Sequence, residues 1–176
     1  MLAVPCISSE REIMHADPLR HFYGYHFAEN RALWERYVTQ LTAEQFTRPL
    51  AYAHGSVRDQ VLHLMDVDDV WFSELQGSEP LEPAPASEGD DRALLRARWD
   101  TIEQRMRAYL TALDDQLVNT RPITEPDEDR NLLVWQVLLH VVNHGTDHRA
   151  QLLRSLHDLG LETTSQDYIF YVYEHP

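Results

Sequence analysis

The feature that most constrains this chain is a set of apolar residues recurring every three or four positions along four long segments. In the clearest of them, Leu95, Trp99, Ile102, Met106, Tyr109, Leu113 and Leu117 keep a 4-3-4-3-4-4 spacing. That rhythm draws one stripe on an α-helix but falls on both faces of a strand, so it selects helix. Leu19, Phe22, His26, Leu33, Tyr37 and Leu41 recur at helical spacing in a first segment. Val57, Val61, Leu64, Trp71 and Leu75 mark a second, and Val134, Leu138, Val141, Leu152 and Leu156 a fourth. Strand signals are weak and no repeat is present. The expected fold is all-α, an up-and-down four-helix bundle.

Helix punctuation places the boundaries. Asp17-Pro18 reads as an N-cap with proline in the first turn, opening a helix that runs to about residue 41. Thr42 to Gln45 is a capping-box pattern for a short extra helical turn, which Pro49 closes. Ser56 caps the second long helix, with Asp59 in its first turn and Gly77 at its end. The stretch from Gly77 to Gly89 holds Pro80, Pro83 and Pro85, a loop or a crossing between helices. A third helix is expected over about 90–118 and a fourth over about 131–159, with Gly160 just beyond it. The aromatic tail Tyr168-Ile169-Phe170-Tyr171-Val172-Tyr173 is expected to pack on the bundle or on a partner subunit. Residues 1–16 read as an N-terminal arm and 17–176 as one domain.

Composition narrows the function. A formal charge of −14 repels phosphate backbones and anionic membrane surfaces, so neither nucleic acid nor membrane is an expected partner. No apolar run approaches the roughly 18 residues of a membrane span. The single cysteine, Cys6, lies in the arm and argues against a thiol nucleophile or an internal disulfide. No serine nucleophile elbow and no glycine-rich phosphate loop occurs, so no organic cofactor site is expected. The start lacks a signal-peptide pattern, and a cytoplasmic location is expected.

Against that background the histidines stand out. His140, His144 and His148 are spaced four apart inside the fourth segment, which puts them on one face of a helix. Setting His140 at zero and advancing about 100° per residue, His144 lies near 40° and His148 near 80°, beside an apolar stripe centred near 130°. His144 and His148 are therefore the better ligand pair, and His140 a neighbour that supports them. Gly145 falls inside the stripe, where a missing side chain lets another helix come close. His63 flanks the stripe of the second helix and is the third ligand candidate. Asp59, one turn earlier, is placed to orient its other ring nitrogen. His21 and His26 are candidates to line the site, and His15, His54, His157 and His175 are expected in solvent. Three imidazoles suit Zn²⁺ or Ni²⁺ and leave a coordination position open, as catalytic sites do. The sequence singles out no catalytic side chain beyond the ligands.

With those residues in view, the chain resembles the DinB/YfiT-like family of metal-dependent helical-bundle proteins. The resemblance is carried by His63-Leu64-Met65-Asp66-Val67-Asp68-Asp69-Val70-Trp71 and by the segment from His140 to Gln151. Leu159-Gly160, followed by Asp167-Tyr168-Ile169-Phe170-Tyr171, adds to it, and it extends from about residue 18 to residue 174. It implies a four-helix bundle, often a homodimer, with one histidine ligand on the second helix and two on the last. Those positions fall on His63, His144 and His148. The chain departs from the pattern at Asp147, where many relatives carry another histidine, and at Ala150, which replaces a frequent glycine. Asp147 is expected to alter the charge beside the site. Some relatives are transferases or isomerases that use low-molecular-weight thiols. The expected function is thus a metal-dependent enzyme that activates a small thiol or water, a thiol S-transferase of detoxification or stress response. The alternative is a non-catalytic metal-binding module associated with stress.

Overall fold

The computed structural model describes residues 13–52, 55–84 and 90–176. Most of the expected N-terminal arm, with Cys6, lies outside the described residues, as do His54, Pro85 and Gly89. The elements are α1 (Ala16–Arg36), a 3-10 turn (Val38–Gln40), α2 (Ala43–Thr47), α3 (Val57–Gln76), α4 (Arg92–Ala112), α5 (Asp115–Val118), α6 (Val134–Asp158) and α7 (Tyr168–Glu174). No strand occurs among the described residues. The chain is an all-α bundle whose four long helices are α1, α3, α4 and α6.

Local chemistry explains most boundaries. Thr42 closes a capping box with Gln45 at the start of α2, and Ser56 closes one with Asp59 at the start of α3. Gly77, with φ at +59°, ends α3 in the left-handed region that a side chain disfavours. The start of α1 is capped from another element. His15 occupies the N-cap position with no side-chain cap bond of its own, and Asp17 lies in the first turn. The Ala16 N–H is instead taken by the Asp115 carboxylate at 2.8 Å. The segment expected as one helix over 90–118 is broken after Ala112. Leu113 is extended, its carbonyl accepts from Arg20 at 2.6 Å, and Asp114 caps the separate α5 by accepting from the Leu117 N–H. The first helix likewise stops at Arg36, and the 3-10 turn Val38–Gln40 follows it, with Leu41 already extended. The aromatic tail folds as α7, with Tyr168 edge-on to Phe22 and Tyr25 of α1.

Contacts between helices give their directions. Tyr23 meets Phe72 and His26 meets Asp68, so α1 and α3 run opposite ways. Trp71 meets His140 and His63 meets His148, so α3 and α6 also run opposite ways. Arg58 pairs with Asp91, Arg98 with Asp66 and Arg105 with Asp69, so α3 and α4 run in parallel. The path is therefore up, down, down, up. It departs from strict up-and-down order at the connection between α3 and α4, whose described residues 77–84 lie against those two helices. The 20 residues of α3 span about 30 Å, and an extended chain of that connection reaches further, so its prolines and length suit a crossing. Asp69 accepts from the Leu81 N–H at 2.6 Å, while Arg105 and Arg98 donate to the Glu79 and Glu82 carbonyls at 3.0 and 2.6 Å. Those bonds hold the crossing against α3 and α4.

The core lies between the four long helices, where Val61, Leu64, Met65, Phe72, Trp99, Ile102, Met106, Leu138, Val141, Leu152 and Leu156 are buried. Each large side chain so buried stabilises the fold by about 1.5–3 kcal/mol. Trp71, placed in the apolar stripe by its spacing, is only half-buried and turns its ring to His140 at 5.2 Å. At Gly145 α1 comes close to α6. A Cβ there would lie 2.6 Å from His26 Cε1 and 2.9 Å from its Nδ1. Alanine gains about 1 kcal/mol of helix propensity over glycine, but overpacking a locked core costs about 1–3 kcal/mol. His26 is fully buried and bonded on both ring nitrogens, so it has nowhere to move. We expect Gly145→Ala to be destabilising, lowering Tm by several degrees, and thermal unfolding followed by circular dichroism checks it.

Candidate metal centre

The site is assembled across the antiparallel α3–α6 pair. His144 and His148 are one turn apart on α6, with ring centroids 4.2 Å apart. His63 reaches them from α3, its centroid 5.0 Å from that of His144 and 4.5 Å from that of His148. The Nε2 atoms of His63 and His144 are 3.1 Å apart, and one ligand nitrogen from each of the three histidines lies within 4.8 Å of the others. Two imidazole nitrogens bound to one tetrahedral Zn²⁺ at about 2.0–2.1 Å are separated by about 3.3 Å, so the close pair already has nearly the spacing a shared ion requires. Among the described residues, these three histidines are the group gathered closely enough to hold a metal. The donor set is three nitrogens from two helices, which fits a borderline divalent ion.

Electrostatics favours the neutral ligand form. The His144 imidazole is pushed down to about 4, first by burial and then by His148, His63 and His140, while Asp147 acts weakly the other way. A neutral ring keeps its lone pair available to a metal across the ordinary pH range.

The remaining sequence candidates divide by location. His140 is exposed, packed against Trp71, with its centroid 6.0 Å from that of His144, and stands beside the trio. Asp147 is exposed and accepts from Gln151 at 3.1 Å. Asp59 uses Oδ2 to accept from the Ser56 N–H and hydroxyl at 2.8 Å each, so its described hydrogen bonds lie at the start of α3. His21 packs edge-on to Tyr168 and Tyr171 of α7. His15 is exposed and bonded to Asp115.

His26 lies inside the bundle, in a polar cluster that reading the sequence did not single out. His26 Nε2 is 3.2 Å from Asp68 Oδ2 and 3.1 Å from Asn30 Nδ2. Arg149 Nη1 donates to Asn30 Oδ1 at 2.8 Å and lies 3.3 Å from His26 Nδ1, and its Nε donates to Gln166 Oε1 at 2.8 Å. His26, Asn30, Asp68 and Arg149 are buried. A signal for Arg149 existed: it follows Gly145 by four residues, so it shares the core-facing side of α6. A charged residue in that register is buried only with partners.

The depressed His144 value sets a pH dependence. Between its ordinary 6.5 and about 4, the unfolded chain takes up a proton on this residue that the folded chain refuses. The metal-free protein is therefore expected to lose stability as pH falls through that window, with the loss levelling off below it. Denaturant unfolding at several pH values is the measurement. Wild-type stability should fall more steeply with acid than that of His144→Gln; identical slopes would contradict the assignment.

A search of curated proteins finds no match to this chain. The model of the DinB family matches residues 14–175, nearly the whole of it. With its helical bundle and its three clustered histidines, the chain belongs to the DinB family.

Proposed function

We propose that this protein is a metal-dependent enzyme that activates a small thiol or water at its three-histidine centre, and that it transfers a low-molecular-weight thiol to an electrophile. The observation that carries the reading is the convergence of three imidazoles, with two Nε2 atoms 3.1 Å apart, and no fourth side chain in the described cluster. Three protein ligands leave a position for an exogenous group, the arrangement of catalytic rather than structural sites. Zn²⁺ or Ni²⁺ suits an all-imidazole set. A bound divalent ion would supply the positive charge that favours a thiolate over a thiol at neutral pH. His63, His144 and His148 hold the ligand geometry on two helices whose core stripes are separate from the site. Exposed His140, one turn before His144 on α6, and half-buried Trp71 of α3, packed against His140, flank it.

The test begins with metal content and ends with a rate. Untagged protein should carry about one divalent ion, with occupancy collapsing in His63→Ala, His144→Ala or His148→Ala and falling far less in His140→Ala. Metal-loaded protein should then accelerate thiol addition to an electrophile, and stripped protein should not. No acceleration with any small thiol would leave a non-catalytic metal-binding module as the better description.

We also propose that the protein forms homodimers. Tyr168, Ile169, Phe170 and Tyr173 of α7 are exposed, and an apolar patch of this kind commonly meets a partner. Light scattering at micromolar concentration should give twice the chain mass, and a monomer mass rejects it.

A further inference from the structure

Between the metal-binding face of α6 and the core of the bundle lies the buried cluster of His26, Asn30, Asp68 and Arg149. Their exposures are 0%, 3%, 2% and 1%. The cluster joins three helices: His26 and Asn30 from α1, Asp68 from α3 and Arg149 from α6. Each α6 and α3 member is close in sequence to a metal ligand. Arg149 directly follows His148, so the two side chains leave α6 about 100° apart. Asp68 follows His63 by five residues, about 140° around α3. Holding Arg149 and Asp68 toward α1 thus aims His148, His144 and His63 into the α3–α6 seam.

The arginine is held on several sides. Nε donates to Gln166 Oε1 at 2.8 Å, Nη1 to Asn30 Oδ1 at 2.8 Å and Nη2 to Thr146 Oγ1 at 3.2 Å, while the guanidinium stacks over Tyr25. Gly145 lets His26 press directly against the helix between the two α6 ligands. Stability alone does not favour such a cluster, because replacing buried ionic groups by apolar ones of similar size is often neutral or stabilising. An apolar layer tolerates small rotations, whereas a planar guanidinium fork accepts few geometries.

We propose that His26, Asn30, Asp68 and Arg149 are positioning residues for the metal centre, a buried lock that sets the rotation of α3 and α6 so that the three histidines converge. The inference rests on the metal-centre reading above. It assigns the cluster a role in metal affinity that its contribution to folding does not account for.

The test titrates metal-free protein with Zn²⁺ against a chromophoric chelator and records the visible spectrum of the Co²⁺-loaded form. Arg149→Lys keeps the charge and loses the fork. It is expected to weaken Zn²⁺ binding about tenfold or more, in the range found when groups that orient metal ligands are removed, and to change the Co²⁺ bands. The fully apolar replacement, His26→Leu with Asn30→Leu, Asp68→Leu and Arg149→Met, is expected to do the same with the metal-free Tm retained; if it does not fold, Arg149→Lys decides. Met106→Ala, a cavity variant in the core of α4, should lower Tm and leave Zn²⁺ affinity and the Co²⁺ spectrum unchanged. Wild-type affinity and an unaltered Co²⁺ spectrum in Arg149→Lys would overturn the proposal, as would an equal affinity loss in Met106→Ala. Failure of the wild-type protein itself to bind Zn²⁺ or Co²⁺ would instead remove the metal-centre reading, and this inference with it.

Discussion

The close approach of α1 to α6 at Gly145 is the contact on which the rest of the structure depends. The absent side chain lets the buried His26 ring sit against the helix backbone, where a Cβ would clash at 2.6 Å. That contact brings Asn30 within reach of Arg149 and sets His26 beside Asp68 of α3. Three of the four long helices therefore meet at one point, with α6 between α1 and α3. The adjacent face of α6, about 60–100° around from Gly145, carries His144 and His148, and the α3 that it meets there carries His63.

The second constraint is the connection that leaves α3 at residues 77–84 and leads to a parallel α4. Because α4 runs parallel to α3, its arginines meet the acids of α3 in ascending order, Arg98 with Asp66 and Arg105 with Asp69. Arg105 is only partly buried and Asp69 almost wholly so, so removing Arg105 would leave a buried carboxylate short of a partner and cost more than breaking an exposed pair. Both arginines also donate to crossing carbonyls, and Asp69 accepts from the crossing backbone at Leu81. Much of the polar chemistry of the α3–α4 seam is thereby spent on the connection, while the α3–α6 seam on the other side of α3 keeps its imidazoles clustered together.

Charge acts on the site through proximity rather than through the total. The chain carries a formal −14, yet His144 is shifted down, because burial and neighbouring imidazoles outweigh the nearby carboxylate of Asp147. Exposed charges beyond about 10 Å are largely screened at ordinary ionic strength. Asp147 is exposed and engaged with Gln151, which limits its reach into the trio.

Much of this was legible in the residues. Helical spacing marked the four long helices, capping boxes marked the starts of α2 and α3, and the wheel of α6 separated His144 and His148 from His140. These features are encoded over a turn or two, where the chemistry of neighbours in sequence decides. What stayed out of reach was set by residues far apart in the chain. Asp115 caps α1 from about 100 positions away, Arg20 takes the carbonyl at the break between α4 and α5, and Trp71 turns from the core toward His140. The direction of α4 depended on where a proline-bearing connection came to rest. Spacing within α6 put Arg149 on the core-facing side, but the partners that satisfy it there, Asn30 on α1 and Gln166 in the tail, lie outside that helix's pattern. The sequence by itself determined which faces are apolar and which helix turns carry imidazoles, because both follow from the helical period. Only the tertiary structure decided which faces meet, because that depends on how helices of known pattern pack and connect in space.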